Sequence, residues 1–496
     1  MSVLLSRTAR ERVLSIISPT DEEVNEQRSV IAELTEALVC YGYDARPRHT
    51  RISAEGSTGA KQTQLRGQGD IDLFVGFDFE DFTDVLALKA RERKRYLSRV
   101  FTGVVDSWFL PAVSRLPVSN LVKAYSEHPY LSLRMNGIDV DIVAYIDMTE
   151  EQIRRYGPLT PVDRTPHHTR FVASSLDTRL REDVRLLKSF VRAGHAYGDR
   201  CPIGQFGFTG YTLEILVVAC GGIEPALSRL LVLEQEPLDP RGRDPETLRG
   251  IPGLEKDHII VVDPTDTDRN AASSISARSF KWIAHRTRTL QRLSGLGKEQ
   301  EMIEMFIEKP IPSDPLPGWA TQHAFAFEFL LDPTIHYTIL RDKLYHKARH
   351  IQAMLSSEDT GEVRFGQVLV EALFDDNRCA LGFLVERPQI GPTYSQRGPP
   401  VSMPEAVARF KKEHPEAYER DGRLWLDRPR KYTDARDMLR ELVGRNGIGG
   451  VSSAPDTTVM SAQVLNVLFR YVMQIEEFPL ARDRRFREHI NENGWW

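Results

Sequence analysis

Two short stretches of the sequence carry paired aspartates at the spacing of a β-strand. Asp70 and Asp72 open the apolar run 70–75, and Asp139 and Asp141 lie within the run 138–143. Alternate side chains of a strand share a face, so each pair points to one side while the apolar residues between point into a core. Carboxylates suit Mg²⁺, whereas a zinc site would require histidine or cysteine. The spacing therefore predicts a divalent-cation site on one face of a sheet.

A turn of small residues lies just before the first aspartate pair. It contains Gly56, Ser57, Gly59 and Lys61. Backbone amides next to glycine, the serine hydroxyl and the lysine ammonium can bind a terminal phosphate. The sequence contains neither a P-loop nor a Gly-x-Gly-x-x-Gly turn after a strand, so the phosphate site is of another type. One Asp-x-Asp alone can mark an exposed edge strand, but two beside this turn favour a site for a nucleoside triphosphate and magnesium.

Length and composition set the frame for these residues. The chain has 496 residues, of which 27% are charged and 41% hydrophobic. It is long enough for about three domains, and no apolar run approaches the ~18 residues of a membrane span. Four cysteines without a Cys-x-x-Cys pair predict reduced thiols. The first residues do not form a secretory signal, so we expect a cytoplasmic protein without a membrane partner.

The elements that must position the aspartates follow from local patterns. Thr20–Glu23 is a capping box that begins a long amphipathic helix, with which the fold is expected to open. A charged helical stretch at 83–113 and one strand at about 132–146 follow. The stretch 180–222 is predicted to be largely helical, with a stripe that ends near Gly194. The segment 234–256 is expected to be an exposed loop before a strand-like run at 259–262.

Beyond residue 300 the pattern changes to mixed helix and strand. We predict strands at 324–330 and 380–385 and a helix at 335–355 between them. The net charge of −5 does not favour nucleic acid, but local basic clusters lie at 89–99, 341–350 and 428–431. Local charge, rather than the total, sets the field that a phosphate chain meets, and each cluster can equally be a solvated face.

Several separated blocks resemble, in the same order, the archaeal-type (class I) CCA-adding enzymes, which are tRNA nucleotidyltransferases. The blocks are 56–57, 65–67, 70–72, 127–130, 137–143, 162–168, 183–188, 197–198, 207–214, 262–264 and 269–272, with fainter similarity at 421–425 and 430–432. The resemblance covers roughly residues 20–290. It implies an α+β fold: a polymerase β-like nucleotidyltransferase mixed sheet with helices at 1–157, a mostly helical central domain at 158–300 and an α+β C-terminal RNA-binding region at 301–496.

The resemblance also implies a reaction and a set of residues. The reaction is template-independent addition of C, C and A to the 3′ end of tRNA from CTP and ATP, with release of pyrophosphate. Asp70, Asp72 and Asp141 would be catalytic and hold Mg²⁺, and Asp141 would also help to deprotonate the terminal hydroxyl. The nucleotide would contact the residues Gly56, Ser57, Lys61, His167, Lys188, Tyr197 and Arg269. Arg269 would face the base, the partner would be the tRNA acceptor end, and a homodimer is favoured.

The match departs from the family pattern at four points, one of which is a 234–256 loop that is longer than usual. One residue is inserted after Ser57, Asp70 stands where many members carry glutamate, and the 162–168 block is one residue short. The last departure leaves open whether His167 or His168 contacts nucleotide.

Two rival functions remain open at this point. The same fold could make a 2′-5′-linked or cyclic nucleotide messenger or modify another RNA. Alternatively, the protein could bind tRNA without catalysis.

Overall fold

We describe a computed structural model over residues 5–125, 128–332, 335, 337–444, 450–453 and 459–493. Glu127, part of one family-like block, lies outside these ranges. The chain divides into two compact units. The first unit comprises 1–198, 208–275 and 283–308, and the second comprises 199–207, 276–282 and 309–496. The three-domain division expected from the sequence stays a prediction.

The first unit contains both helices and strands. Its helices are α1 (Arg7–Ile17), α2 (Asp21–Tyr41), α3 (Ala90–Val104), α4 (Leu110–Val113), α5 (Glu150–Tyr156), α6 (Thr165–Ser175), α7 (Thr178–Ala193), α8 (Gly210–Cys220), α9 (Ile223–Leu230), α10 (Pro245–Arg249), α11 (Ala277–Gly295), whose first residues belong to the second unit, and α12 (Glu299–Glu304). Its strands are β1 (His49–Glu55), β2 (Ile71–Asp78), β3 (Val118–Tyr125), β4 (Pro129–Met135), β5 (Ile138–Asp147), β6 (Val262–Asp263) and β7 (Asp266–Asn270). Helical turns at Phe79–Ala87, Val105–Phe109 and Pro161–Arg164 complete it.

Within the described residues, five strands form one mixed sheet in the order β1-β2-β5-β4-β3. β2 and β5 are parallel neighbours, and the other pairs are antiparallel. The single strand predicted at 132–146 is wrong, because β4 and β5 form a hairpin. Asn136 and Gly137 both have positive φ between these strands. Asn-Gly between apolar strands is a strong hairpin signal, and here it determines the break.

The core of the sheet fixes the direction of the aspartates. Ile71 and Leu73 of β2 and Val140 and Ile142 of β5 are at most 1% exposed, and the helix α2 packs its Val30, Leu34 and Leu38 into the same core. The predicted capping box is confirmed, since Thr20 and Glu23 cap α2 reciprocally. The helix α1 precedes α2, so the expectation that the fold opens with α2 is wrong.

The central part of the first unit is helical, as expected. The predicted stripe is the buried face of α7, which ends at Ala193 with Gly194 as its C-cap. The 234–256 segment is not loop throughout, because α10 forms within it with Asp244 as its N-cap. The strand-like run 259–262 is mostly not strand. Only its last residue enters β6, since the bonds of this segment go to isolated partners such as Leu238.

The second unit holds α13 (Gly318–Thr321), α14 (Tyr337–Ser356), α15 (Pro404–Glu413), α16 (Ala435–Gly444), α17 (Val459–Asn466), α18 (Met473–Ile475) and α19 (Arg484–Asn493). Its strands are β8 (Ala324–Leu331), β9 (Val368–Phe374), β10 (Arg378–Val385), β11 (Thr393–Pro400), β12 (Tyr418–Arg420), β13 (Arg423–Pro429) and β14 (Val451–Ser453). Helical turns occur at Val467–Val472 and Pro479–Arg482. The described strands pair as β14-β8-β10-β9 and β11-β13-β12. The strands predicted at 324–330 and 380–385 and the helix between them are confirmed. Across the described ranges, no helix has the length and apolar character needed to cross a bilayer.

Candidate active site

The aspartates of two neighbouring strands lie side by side on the sheet. Asp72 on β2 is the register partner of Asp141 on the parallel strand β5, and Asp70 lies immediately before β2. Their apolar neighbours on both strands point into the core, so the carboxylates occupy the opposite face. The strand register thus brings together acids that are about seventy positions apart in the sequence.

The three carboxylates share one electrostatic field. Burial, followed by the charges of Asp141 and Asp70, raises the pKa of Asp72 to about 6. Burial also raises the pKa of Asp70 and Asp141, with the charge of Asp139 adding to each, while a hydrogen bond from Ser132 opposes the rise at Asp141. Like charges in a partly dry site raise each other's pKa, and a cation relieves the repulsion. The all-oxygen donor set fits a hard divalent cation such as Mg²⁺.

The acids are neighbours without forming a ready-made metal cluster. Among the residues that the structure describes, no group of three His, Cys, Asp or Glu side chains is arranged to hold a metal ion. Asp139 is exposed, and its Oδ1 lies 3.6 Å from Arg134 Nε across the hairpin. It therefore forms a surface ion pair beside the other three aspartates. The strand register therefore fixes which carboxylates are neighbours on the sheet.

The Gly-Ser turn packs directly against Asp72. Gly56 follows β1 with φ of +66°, and a Cβ placed on it would lie 2.5 Å from Asp72 Oδ2. Ser57 is half-buried and its carbonyl accepts from the Thr63 amide at 3.0 Å, while the hydroxyl of Thr58 donates to the Asp70 carbonyl at 2.9 Å. These bonds hold the turn at the edge of the carboxylate patch, which is the surface formed by Asp70, Asp72 and Asp141.

Two predicted phosphate ligands, Lys61 and Lys188, meet in a buried network. Lys61 Nζ lies 2.9 Å from Glu214 Oε2, and Lys188 Nζ lies 2.7 Å from Glu214 Oε1. Tyr197 is adjacent, because a Cβ on Gly210 would lie 2.9 Å from its hydroxyl and 3.3 Å from Lys188 Cε. Burial and the Glu214 charge raise the pKa of Tyr197 to about 12. The structure thus brings Lys61, Lys188 and Tyr197 together.

The two candidate histidines have different surroundings. His167 is buried, and its Nε2 lies 2.8 Å from the Met148 carbonyl. Its Nδ1 makes no hydrogen bond to any described residue. His168 stacks on the Tyr211 ring at a centroid distance of 4.1 Å, with Nε2 2.9 Å from Asp263 Oδ2. His168 therefore belongs to a polar cluster, whereas His167 is tied to the backbone.

The cluster around Asp263 also holds Arg269. Arg269 Nη1 lies 2.6 Å from Asp263 Oδ2, and the Tyr211 hydroxyl donates to Asp263 Oδ1 at 2.8 Å. Burial alone would raise the pKa of Asp263, but the hydrogen bond and charge of His168 hold this pKa well below its usual range. Arg269 is 37% exposed and lines a cavity of about 790 Å³ whose wall also contains Arg164, Arg241 and Asp266.

Lys61 connects these parts into one site. Its charge opposes part of the rise in the pKa of Asp72. On the other side, burial lowers the pKa of His168, and the Lys61 charge adds to that effect. The Lys61 ammonium also lies 5.5 Å from the centre of the Tyr211 ring. The carboxylate patch, the lysine network and the Asp263 cluster are thus continuous within the first unit.

Residues without an assigned role in the sequence prediction also contribute to the site. They are Thr63, Tyr130, Tyr211, Glu214 and Asp263. The pKa of Tyr130 is raised by burial and then by Asp141 and Asp72, so its ring lies beside the patch. A glutamate inside the apolar run 213–217 is a signal of a buried ion pair that could have identified Glu214.

Two family models match the chain in order along its length. The second domain of tRNA nucleotidyltransferases matches residues 182–296, and the C-terminal domain of CCA-adding enzymes matches 323–452. Together with the mixed sheet and its paired carboxylates, the first match supports a nucleotidyltransferase with an α+β fold.

Curated relatives extend the match to most of the chain. A CCA-adding enzyme of Sulfurisphaera tokodaii is 27% identical over 444 residues, which is 88% of this chain and 91% of that protein. One of Methanosarcina mazei is 26% identical over 88% of this chain and 89% of its own length. One of Thermococcus gammatolerans is 33% identical over 54% of this chain and 55% of its own. Over most of its length the chain is therefore similar to archaeal CCA-adding enzymes, and nucleotidyl transfer by enzymes of this kind generally depends on divalent metal.

Proposed function

We propose that this protein adds C, C and A to the 3′ end of tRNA, taking the nucleotides from CTP and ATP without a template. The similarity to archaeal CCA-adding enzymes supports the substrates, and the pairing of Asp72 with Asp141 across β2 and β5 supports the chemistry. The partner is the tRNA acceptor end, the metal is Mg²⁺ and the location is the cytoplasm. We also propose that the protein forms a homodimer. Each chain would have a catalytic domain at 1–157, a central domain at 158–300 and a C-terminal RNA-binding region at 301–496.

The roles of the acidic residues follow from charge. The 3′ hydroxyl oxygen of the RNA forms a bond to the α-phosphorus, the bond between the α- and β-phosphates breaks, and pyrophosphate leaves. Asp141 would accept the hydroxyl proton, and Asp70, Asp72 and Asp141 would hold Mg²⁺ by their oxygens. When bound, Mg²⁺ supplies charge neutralisation of the triphosphate and activation of the hydroxyl.

The triphosphate requires donors as well as a cation. Gly56 and Ser57 form the turn, whose backbone amides can donate to phosphate. Lys61 and Lys188 supply two ammonium groups, and the Tyr197 hydroxyl lies nearby. Charged donors in a partly buried site bind phosphate oxygens more strongly than neutral ones do. The proposal also assigns His167 to the nucleotide; its Nε2 lies next to the Met148 carbonyl, and its Nδ1 lies 3.9 Å from Glu150 Oε1.

Incorporation of labelled CTP into tRNA that lacks its terminal CCA tests the function. We expect label to enter this RNA, ATP to be added after CTP, and tRNA that already ends in CCA to remain unlabelled. If no label enters tRNA and ATP or GTP is instead converted into a small oligonucleotide, the protein is an enzyme that synthesises a nucleotide messenger. RNA binding without any transfer would favour the non-catalytic alternative.

Base selection provides a prediction for Arg269. Its guanidinium is fixed by Asp263 and faces the cavity, so it can donate to a base edge in a set direction. Arg269→Ala is expected to reduce the preference for CTP over UTP by about 10- to 100-fold, the effect of one good bidentate contact. The measurement is single-nucleotide incorporation with each of the four triphosphates.

Arg241 provides the matched control, because it lines the same cavity. Arg241→Ala is expected to keep the preference within a few fold. Equal loss of preference in both variants would show that cavity charge, rather than Arg269, reads the base.

A further inference from the structure

Glu214 is a charged residue in an apolar stretch of α8. Leu213, Ile215 and Leu216 around it are at most 1% exposed, and Glu214 itself is 1% exposed. A carboxylate is almost never fully buried unless it is paired, because burial removes its hydration. Its partners must therefore account for its position.

Three side chains donate to this carboxylate. Lys61 approaches Oε2 at 2.9 Å, while Lys188 and the Thr63 hydroxyl approach Oε1 at 2.7 Å each. The Thr63 oxygen in turn accepts from Lys188 at 2.9 Å. Both oxygens of Glu214 are thus used, and the bonds connect the turn before β2 with α7 and α8. Burial alone would raise the pKa of Glu214, but the charges of Lys188 and Lys61 lower it to about 2.

The charge balance of this network matters for binding an anion. Two ammonium groups share one carboxylate, so the buried cluster carries one net positive charge. Without the carboxylate, the two ammonium groups would repel each other in a dry site. Their positions relative to the turn would then no longer be fixed.

We propose that Glu214 is a positioning residue of the triphosphate site, which holds Lys61 and Lys188 side by side and directs them toward the β- and γ-phosphates. This inference rests on the proposed function, because it takes a nucleoside triphosphate as the ligand. Glu214 acts through the lysines and does not touch the nucleotide.

Comparison of CTP with CMP isolates this role. Glu214→Gln keeps one oxygen as an acceptor but directs an amide donor at an ammonium group. We expect its affinity for CTP, measured by equilibrium dialysis with Mg²⁺, to fall at least about 10-fold. Its affinity for CMP, which lacks the β- and γ-phosphates, is expected to change less than about 3-fold. Equal weakening of both ligands, or unchanged CTP binding, would overturn the proposal.

A double-mutant cycle adds a readout that a general structural role would not produce. If Glu214 acts through Lys61, Glu214→Gln should weaken CTP binding by less than about 3-fold when Lys61→Met is already present. Full additivity would overturn the proposal. Glu214→Asp retains the charge for folding with a shorter reach, so it should weaken CTP less than Glu214→Gln does, again with CMP spared. A CTP-to-CMP ratio like that of the wild type in this variant would also overturn it.

Glu371 provides a control for the loss of a buried carboxylate. It is fully buried in the second unit, where it accepts from Arg278 at 2.9 Å, Tyr345 at 2.5 Å and the Gly204 amide at 2.9 Å. Glu371→Gln should lower stability to urea as Glu214→Gln does but leave CTP affinity unchanged. Failure of the wild type to label tRNA would reject the proposed function, whereas the CTP-to-CMP comparison judges Glu214 independently of RNA.

Discussion

Simultaneous replacement of Asp72 and Asp141 by asparagine is expected to lower CTP incorporation at least about 10³-fold. Loss of a single preorganised polar interaction in an active site already costs about 10²- to 10³-fold, and here two charged oxygen donors are lost. Asparagine keeps the shape of each side chain but removes the negative charge that holds a hard cation. The measurement is single-turnover incorporation at saturating Mg²⁺, with tRNA affinity determined by filter binding on the same preparation.

tRNA affinity should stay within a few fold of that of the wild type, because the substitutions remove negative charge and no RNA-binding cation. Asp147 is the matched control, since it lies on the same strand but contacts Thr50 at 2.9 Å and Arg51 at 3.1 Å. Asp147→Asn is expected to keep activity within a few fold. If the double variant incorporated CTP as fast as the wild type, these carboxylates would have no part in the reaction.

The strands that carry the aspartates could be predicted because their information is local. Alternation from Ile71 to Leu73 and from Val140 to Ile142 requires one buried and one polar face, whichever neighbours the strands acquire. The capping box at Thr20 is equally local, and so is the Asn136-Gly137 turn, which interrupts the single strand predicted at 132–146. The short β6 could not be predicted, because a run such as 259–262 becomes strand only if partner strands are available along it.

The candidate site depends on tertiary pairing, which the sequence shows only in part. The resemblance placed Lys61, Lys188 and Arg269 in the site, but the side chains that fix them are distant in sequence. Glu214 is 153 positions from Lys61 and 26 from Lys188. Such a triad leaves one local trace, the charge of Glu214 within an apolar helix, and this trace does not identify the partners.

The proximity of Gly56 to Asp72 leads to a second large effect. Gly56→Ala would place a Cβ 2.5 Å from Asp72 Oδ2, so the carboxylate must move away from its neighbours. Small displacements of reacting groups cost about 10²-fold in rate, and we expect a loss of incorporation of that order. The measurement is kcat/KM for CTP together with the urea midpoint of unfolding.

Gly67 separates this contact from backbone strain. It has φ of +67°, against +66° for Gly56, but a Cβ on Gly67 would have no heavy atom within 4 Å among its described surroundings. Both alanine variants pay the same conformational penalty of about 1–2 kcal/mol, so their urea midpoints should fall by similar amounts. Gly67→Ala should nevertheless keep kcat/KM within a few fold. If both variants lost activity in proportion to stability, strain alone would explain Gly56; loss confined to Gly56→Ala would show that the position of the Asp72 carboxylate limits the rate.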